Sequence, residues 1–292
     1  MFAGTYTALV TPFENDQVDE AAFGRLIESQ IEAGITGIVP VGTTGESPTL
    51  DHREHLRVIE IAVKTAQGRC QVMAGTGSNS TSEAVSLTVE AERAGADAAL
   101  LVAPYYNKPS QEGLFQHFRA IAQASKLPLV LYSIPGRCGI EIGVETVARL
   151  AQECPTVVAI KEAGGTVERV SQLRLALPES FAILSGDDSL TLPFMSVGAV
   201  GVISVASNLI PKQVGALVQA ALAGNYAEAR RLHLQYYPLF KDLFIEPNPA
   251  PIKQALALLG RLSPDVRLPL SRMSDANRHK LEQTLRHLNL IP

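Results

Sequence analysis

The chain has 292 residues, 46% of them hydrophobic and 18% charged, with a formal net charge of -4 at pH 7. This balance supports a large buried core and excludes intrinsic disorder, and without a basic block it offers nucleic acid or an anionic membrane no electrostatic handle. No apolar run approaches the roughly 20 residues of a membrane-spanning helix, and the opening MFAGTYTALV lacks the cationic segment of a signal peptide. Cys70, Cys138 and Cys154 show no CxxC spacing, so they read as small core residues and not as a disulfide or zinc framework. The expectation is a cytoplasmic protein.

Short apolar runs alternate with helical periods from the N-terminus to about residue 224. In chain order the strand candidates are TYTALVTPF, GIVPVGTTGE, CQVMAGTGS, DAALLVAPYY, LPLVLYSIP, TVVAIKEAG, FAILSGDD and GVISVAS. They are continuous apolar runs, as expected of parallel strands covered on both faces. Between them, Phe23, Leu26, Ile27 and Ile31 share one helical face, as do Leu56, Ile59, Val63 and Ala66. Ala84, Leu87, Ala91 and Ala94 follow, then Val144, Val147, Ala148 and Ala151. Gly34, Gly95 and Gly198 each stand between a helix and a strand, where a left-handed C-cap is expected. Eight strands each followed by a helix predict a (β/α)8 barrel over residues 1–224. No GxGxxG opens the first unit, which argues against a dinucleotide-binding sheet. Beyond Gly224 the pattern is helical only, with the proline-rich EPNPAP separating the first of three helices from the second. Residues 225–292 therefore read as a helical appendage on the barrel.

Chemistry in such a barrel collects at the C-terminal ends of the strands. The second strand leads into Thr43, Thr44, Gly45 and Glu46. The fourth ends at Tyr105 and Tyr106, the fifth carries Tyr132 and leads to Arg137, and the sixth supplies Lys161 and Glu162. The seventh ends at Asp187 and Asp188, and the eighth runs through Ile203 and Ser204. A lysine at the end of a buried strand either snorkels to water or is held as a neutral amine. Desolvation lowers its pKa from about 10.4 and frees the lone pair to attack a carbonyl as a Schiff-base nucleophile. No histidine stands at a strand end, so Thr43, Tyr132 and Tyr106 are the candidate proton carriers. The GTTGE turn offers backbone amides and hydroxyls to a carboxylate, and Arg137 offers a fork to a second one. Asp187 and Asp188 read best as helix caps, with a magnesium site shared with Glu162 as the rival.

These motifs resemble the 4-hydroxy-tetrahydrodipicolinate (dihydrodipicolinate) synthase family of pyruvate-dependent class I aldolases and lyases. The likeness runs through ALVTPF, VGTTGES, AGTGSNST, APYYNKPSQEG, YSIPGRCG, AIKEAGG, LSGDDS, GVISVASN and EPNPAPIK, which is essentially the whole chain. It implies that Lys161 forms the imine with pyruvate, and that Thr43, Tyr132 and Tyr106 relay protons, with the Tyr106 equivalent crossing from a neighbouring subunit. Thr44, Gly45 and their amides would hold the pyruvate carboxylate, the Ile203 carbonyl would border the site, and Arg137 would bind the carboxylate of L-aspartate 4-semialdehyde. It further implies a product destined for diaminopimelate and L-lysine synthesis, a homotetramer built from tight dimers, and no metal or organic cofactor. Inhibition by L-lysine would use Ser47, His52, His55, Asn79, Glu83 and Tyr105. On spacing alone, His52 and His55 read as a solvated helix face. Ser133 replaces a common asparagine, Cys138 a frequent threonine and Pro48 a common alanine.

Two other readings share these residues. A retro-aldol lyase acting on a sugar acid, such as N-acetylneuraminate or a 2-keto-3-deoxy-sugar acid, would use Lys161, Tyr132 and GTTGE equally well, but Arg137 matches a carboxylate better than a polyol. A non-catalytic keto-acid sensor would have no need of an amine nucleophile.

Overall fold

The apolar runs fold where their β-branched residues predict strands, and a computed structural model describes residues 2–292. The strands are β1 (Gly4–Ala8), β2 (Gly37–Val39), β3 (Gln71–Gly75), β4 (Ala98–Val102), β5 (Leu129–Ser133), β6 (Val157–Glu162), β7 (Ala182–Ser185) and β8 (Gly201–Ser204). Each pairs in parallel with the next, and β8 pairs with β1 to close the barrel. The helices between and after them are α1 (Glu20–Glu32), α2 (His52–Ala66), α3 (Thr81–Ala94), α4 (Gln111–Ala124), α5 (Val144–Glu153), α6 (Val167–Ala176), α7 (Thr191–Met195) and α8 (Pro211–Leu222). This is the expected (β/α)8 barrel. Among the described residues no helix is long and apolar enough to cross a membrane.

Two apolar layers follow from the alternation of side chains along each strand. Tyr6, Val39, Met73, Leu100, Val130, Tyr132, Ala159, Leu184 and Ile203 fill the barrel interior. Their neighbours, such as Ile38, Val72, Leu101, Leu131, Ile160 and Ile183, face outward and meet the helices. The phase on β6 matters most. Ala159 lies inside, so Lys161, two residues on, shares the inner face, whereas Glu162 turns the other way.

The strands are shorter than the apolar runs. GIVPVGTTGE leaves the sheet after Val39 because Pro40 has no N–H to give the ladder, and Val41 turns left-handed with φ +50°. The expected C-terminal glycines do adopt positive φ, +77° at Gly34, +91° at Gly95 and +107° at Gly198. On α2 the buried stripe differs from the expected one. It runs through His55, Val58, Ile59, Ala62 and Ala66, and Leu56 and Val63 are half-buried.

Beyond residue 224 lie α9 (Tyr226–Asp242), α10 (Ala250–Leu258) and α11 (Asp275–His287). The second of these carries Lys253, whose side chain and that of Glu46 are both 0% exposed and form an ion pair. Lys253 Nζ also donates to the Asp265 carbonyl at 2.7 Å, while the Arg267 backbone N–H donates to Glu46 Oε2 at 3.0 Å. Two charges out of water are tolerable only when paired and hydrogen-bonded in this way. Lys253→Ala leaves Glu46 uncompensated and should lower stability by about 3–5 kcal/mol, seen as a large fall in thermal midpoint. Substituting both, Glu46→Leu with Lys253→Met, should recover much of that loss.

Candidate active site

Lys161 is 6% exposed. Burial pulls its pKa down to about 7, with the negative charge of Asp188 opposing the fall and the Arg137 guanidinium adding to it. Its Nζ lies 4.2 Å from the centroid of the Tyr132 ring, on the neighbouring strand β5, where Tyr132 and Lys161 are register partners. A cation over an aromatic face is attracted to it, so the ring steadies a positive nitrogen without accepting its proton.

Tyr132 itself is 4% exposed. Burial pushes its phenol up to about 12, with Arg137 and the Thr43 side chain partly offsetting the rise. The phenol is therefore protonated at neutral pH and is a proton donor. Thr43 stands in the loop after β2. That loop holds two non-glycine residues in the left-handed region, Val41 and Glu46, the latter at φ +58°. Such backbone costs on the order of 1–3 kcal/mol per residue unless its surroundings enforce it. The enforcement comes from the Glu46–Lys253 pair and from Thr11, whose hydroxyl donates to the Gly45 carbonyl at 2.7 Å.

Thr44 is buried, and its Oγ1 accepts from Asn248 Nδ2 at 2.9 Å. Arg137 lies on a single helical turn, Pro135–Cys138, and its Nη2 donates to the Asn248 backbone carbonyl at 3.5 Å. Asn248 thus bridges the residues expected to meet the two substrate carboxylates. Asn248 and Lys253 escape a reading confined to strand ends. The available signal was a lysine set in the apolar run APIKQALALL, straight after a proline-rich turn.

The other expected residues fall as follows. Ile203 is in the barrel interior with Tyr132. Tyr106 is 90% exposed at φ +72° and does not line the cavity that Thr43, Tyr132 and Arg137 share. Asp187 is a cap, its Oδ1 accepting from the Ser189 N–H at 2.7 Å. Asp188 is not a cap of that kind. It is 3% exposed, and its Oδ2 accepts from the Val205 and Ala206 amides beyond β8 at 3.0 and 2.9 Å. Glu162 is fully buried on the outer side, held by Arg169 Nε at 2.8 Å and by the Gly164 N–H. Strand alternation therefore separates it from the inner-face Lys161, and the three carboxylates have three different partners, against the magnesium reading.

A cavity of about 370 Å³ is lined by Thr43, Tyr132 and Arg137, and also by Ser47, His52, His55, Glu83 and Tyr105. His52 Nε2 meets Glu83 Oε1 at 2.9 Å, and Ser78 donates to the other Glu83 oxygen. Asn79 Nδ2 donates to the Tyr105 carbonyl at 3.2 Å. His55 corrects the solvated-face expectation: it is 4% exposed, with Nε2 bonded to the Gly75 carbonyl at 2.9 Å. The apolar Val58, Ile59, Ala62 and Ala66 bury this face of α2, and the bond to the Gly75 carbonyl satisfies the His55 ring that is carried in with them.

A sequence profile of the dihydrodipicolinate synthetase family matches residues 1–288. The chain belongs to this family. It is 53% identical over 292 residues to the 4-hydroxy-tetrahydrodipicolinate synthase of Sulfurihydrogenibium sp. (strain YO3AOP1), covering 100% of both chains. Its fold matches the solved 4-hydroxy-tetrahydrodipicolinate synthase of Methylacidiphilum fumariolicum SolV at TM-score 0.98 and 57% identity, covering 99% of this chain and 96% of that one. A lysine-bound family structure from Cyanidioschyzon merolae matches at TM-score 0.97 and 42% identity over 99% of each chain.

If Lys161 is the Schiff-base nucleophile expected from the sequence, its pKa of about 7 makes adduct formation pH-dependent in a stated direction. Pyruvate trapping by borohydride should rise as pH passes upward through about 7. Below it, the rate should fall about tenfold per pH unit as the ammonium takes over. A profile still rising steeply near the ordinary lysine pKa of about 10.4 would show the amine to be solvated.

Proposed function

We propose that this chain condenses pyruvate with L-aspartate 4-semialdehyde through a Schiff base on Lys161, giving 4-hydroxy-tetrahydrodipicolinate for L-lysine synthesis. The observation that carries the reading is the buried amine, lowered to about 7, beside a protonated tyrosine inside a barrel of this family.

The steps follow from the geometry. The neutral Lys161 nitrogen attacks the keto carbon of pyruvate, and Tyr132, with Thr43 beside it, protonates the departing oxygen so that it leaves as water. The resulting iminium is cationic and draws electrons from the methyl carbon, which loses a proton to give an enamine. That carbon attacks the aldehyde carbon of the second substrate, whose oxygen takes up a proton. The amine of the adduct then adds to the imine carbon, closing the ring and expelling Lys161 as the free amine. The Thr44 hydroxyl and backbone amide hold the pyruvate carboxylate, since the Gly45 and Glu46 amides are taken by the Gly42 and Thr43 carbonyls, and Arg137 holds the semialdehyde carboxylate. The Ile203 carbonyl borders the reacting atoms. In this reading Tyr106, exposed on its own chain at positive φ, serves the site of a second copy within a dimer of dimers. The carboxylate-seeking Arg137 favours this substrate over a sugar-acid polyol, and an amine nucleophile has no place in a sensor.

The same cavity carries the proposed L-lysine site. Glu83, with its hydrogen-bonded His52, faces the ligand amine, and Asn79 and Tyr105 its carboxylate. The continuity of the cavity from Glu83 to Thr43 and Tyr132 gives the ligand a physical route to the catalytic hydroxyls.

Intact-protein mass after borohydride treatment with pyruvate should show one adduct on Lys161, discharged when aspartate semialdehyde is added first. Lys161→Ala should fold and give no adduct, and Tyr132→Phe should lose roughly 10²–10⁴-fold in turnover while still binding pyruvate. An adduct that only a sugar aldehyde discharges would move the assignment to a lyase. Separately, millimolar L-lysine should inhibit, and Glu83→Gln should weaken that inhibition about tenfold. An unchanged rate in L-lysine would remove the regulatory assignment and leave the catalytic one intact.

A further inference from the structure

Asp188 is a buried charged residue that the mechanism leaves unused. It follows β7, the strand paired with β6, and is almost wholly inaccessible to water at 3% exposure. The Val205 and Ala206 backbone N–H groups donate hydrogen bonds to its Oδ2, which fixes the carboxylate against the end of β8. Two N–H donors favour the ionised form. Its Oδ1 is buried and has no hydrogen-bond partner among the described residues. An unpartnered carboxylate oxygen in the interior is costly unless a positive charge is near.

The backbone just before Asp188 passes close to Lys161. Gly186, two residues before Asp188, stands where a Cβ would lie only 3.0 Å from Lys161 Cε. Glycine here lets the β7 loop close onto the lysine stem. The charged groups acting on the Lys161 nitrogen are few. Asp188 comes from the loop after β7 and Arg137 from the turn after β5, with the Tyr132 ring face beside them. Glu162, adjacent in sequence, is committed to Arg169 on the other side of the strand. Asp188 in turn is faced by Asp187 and by the Ser204 hydroxyl. One anion therefore answers the buried cation that any imine on Lys161 must become.

We propose that Asp188 is a positioning residue acting through Lys161, the fixed counter-charge that stabilises the cationic iminium inside the barrel. It makes and breaks no bond. The inference rests on the Schiff-base reading, since a neutral lysine that never forms an imine needs no counter-ion. The attraction also holds the amine pKa up, so the loss of Asp188 has two opposite signs. The free amine becomes available at lower pH, while the iminium becomes harder to form and keep.

The test uses the intact enzyme and pyruvate. Asp188→Asn should move the pH midpoint of borohydride trapping downward by about one unit and lower kcat by roughly tenfold or more. Asp187→Asn, which alters the cap and a charge beside Asp188 but leaves the Asp188 carboxylate in place, should move the midpoint far less than Asp188→Asn does. A variant that loses thermal stability and activity but keeps the wild-type midpoint would overturn the proposal and leave Asp188 a structural tie between β7 and β8. Should Asp188→Asn fail to fold, infrared difference spectra of the wild type decide. Burial raises Asp188 to about 6, so pyruvate added near that pH should discharge a protonated-carboxyl band that shifts on side-chain ¹³C-aspartate labelling. No such band change would equally overturn the proposal. Absence of any pyruvate adduct in the wild type would instead remove the Schiff-base reading beneath it.

Discussion

The burial of one amine is the constraint around which the rest is arranged. Moving Lys161 from the ordinary lysine range to about 7 corresponds to something on the order of 5 kcal/mol against its charged form. A solvent-facing lysine never meets that penalty. It arises here because parallel strands, closed into a barrel and jacketed by helices, leave no water-filled side. The same penalty would free the nitrogen to act as a nucleophile, and in the proposed reaction the Tyr132 face and Asp188 offset it once the nitrogen becomes cationic.

A second buried charge supports the first from a distance. Glu46 and Lys253 are both closed off from solvent, and their pairing ties α10 to a loop bent through two left-handed non-glycine residues. The loop carries Thr43 and Thr44, so in the proposed reaction the helices after residue 224 support the site without contributing a reacting group. Asn248 extends the tie, with its amide on Thr44 and its carbonyl on Arg137. Were this loop to relax to ordinary backbone angles, both threonines would lose their present aim.

Neighbours in sequence part company in this fold for one geometric reason. Successive residues on a strand point to opposite faces, so Lys161 enters the barrel while Glu162 leaves it for Arg169. The loop after β7 separates its two aspartates as sharply: Asp187 caps the turn that follows, and Asp188 reaches across to the amides after β8. Read together as an acidic cluster they suggest a metal site, yet each is already claimed by a different partner.

Much of this was legible in the chain itself. Eight β-rich runs separated by helical periods, with glycines at the helix ends, determine the barrel, because strand and helix periodicities and left-handed caps are local properties of sequence. The ring of Thr43, Tyr132, Arg137 and Lys161 was legible too, since barrel topology brings all strand ends to one face. The tertiary structure alone decided the partners. That His55 leaves solvent to meet the Gly75 carbonyl, that Lys253 closes on Glu46 some 207 residues away, and that the negative charge acting on Lys161 comes from Asp188 are outcomes of packing between distant segments. No local periodicity encodes them, because the cost of a buried polar group is set by what the fold places beside it and not by the residues that flank it in the chain.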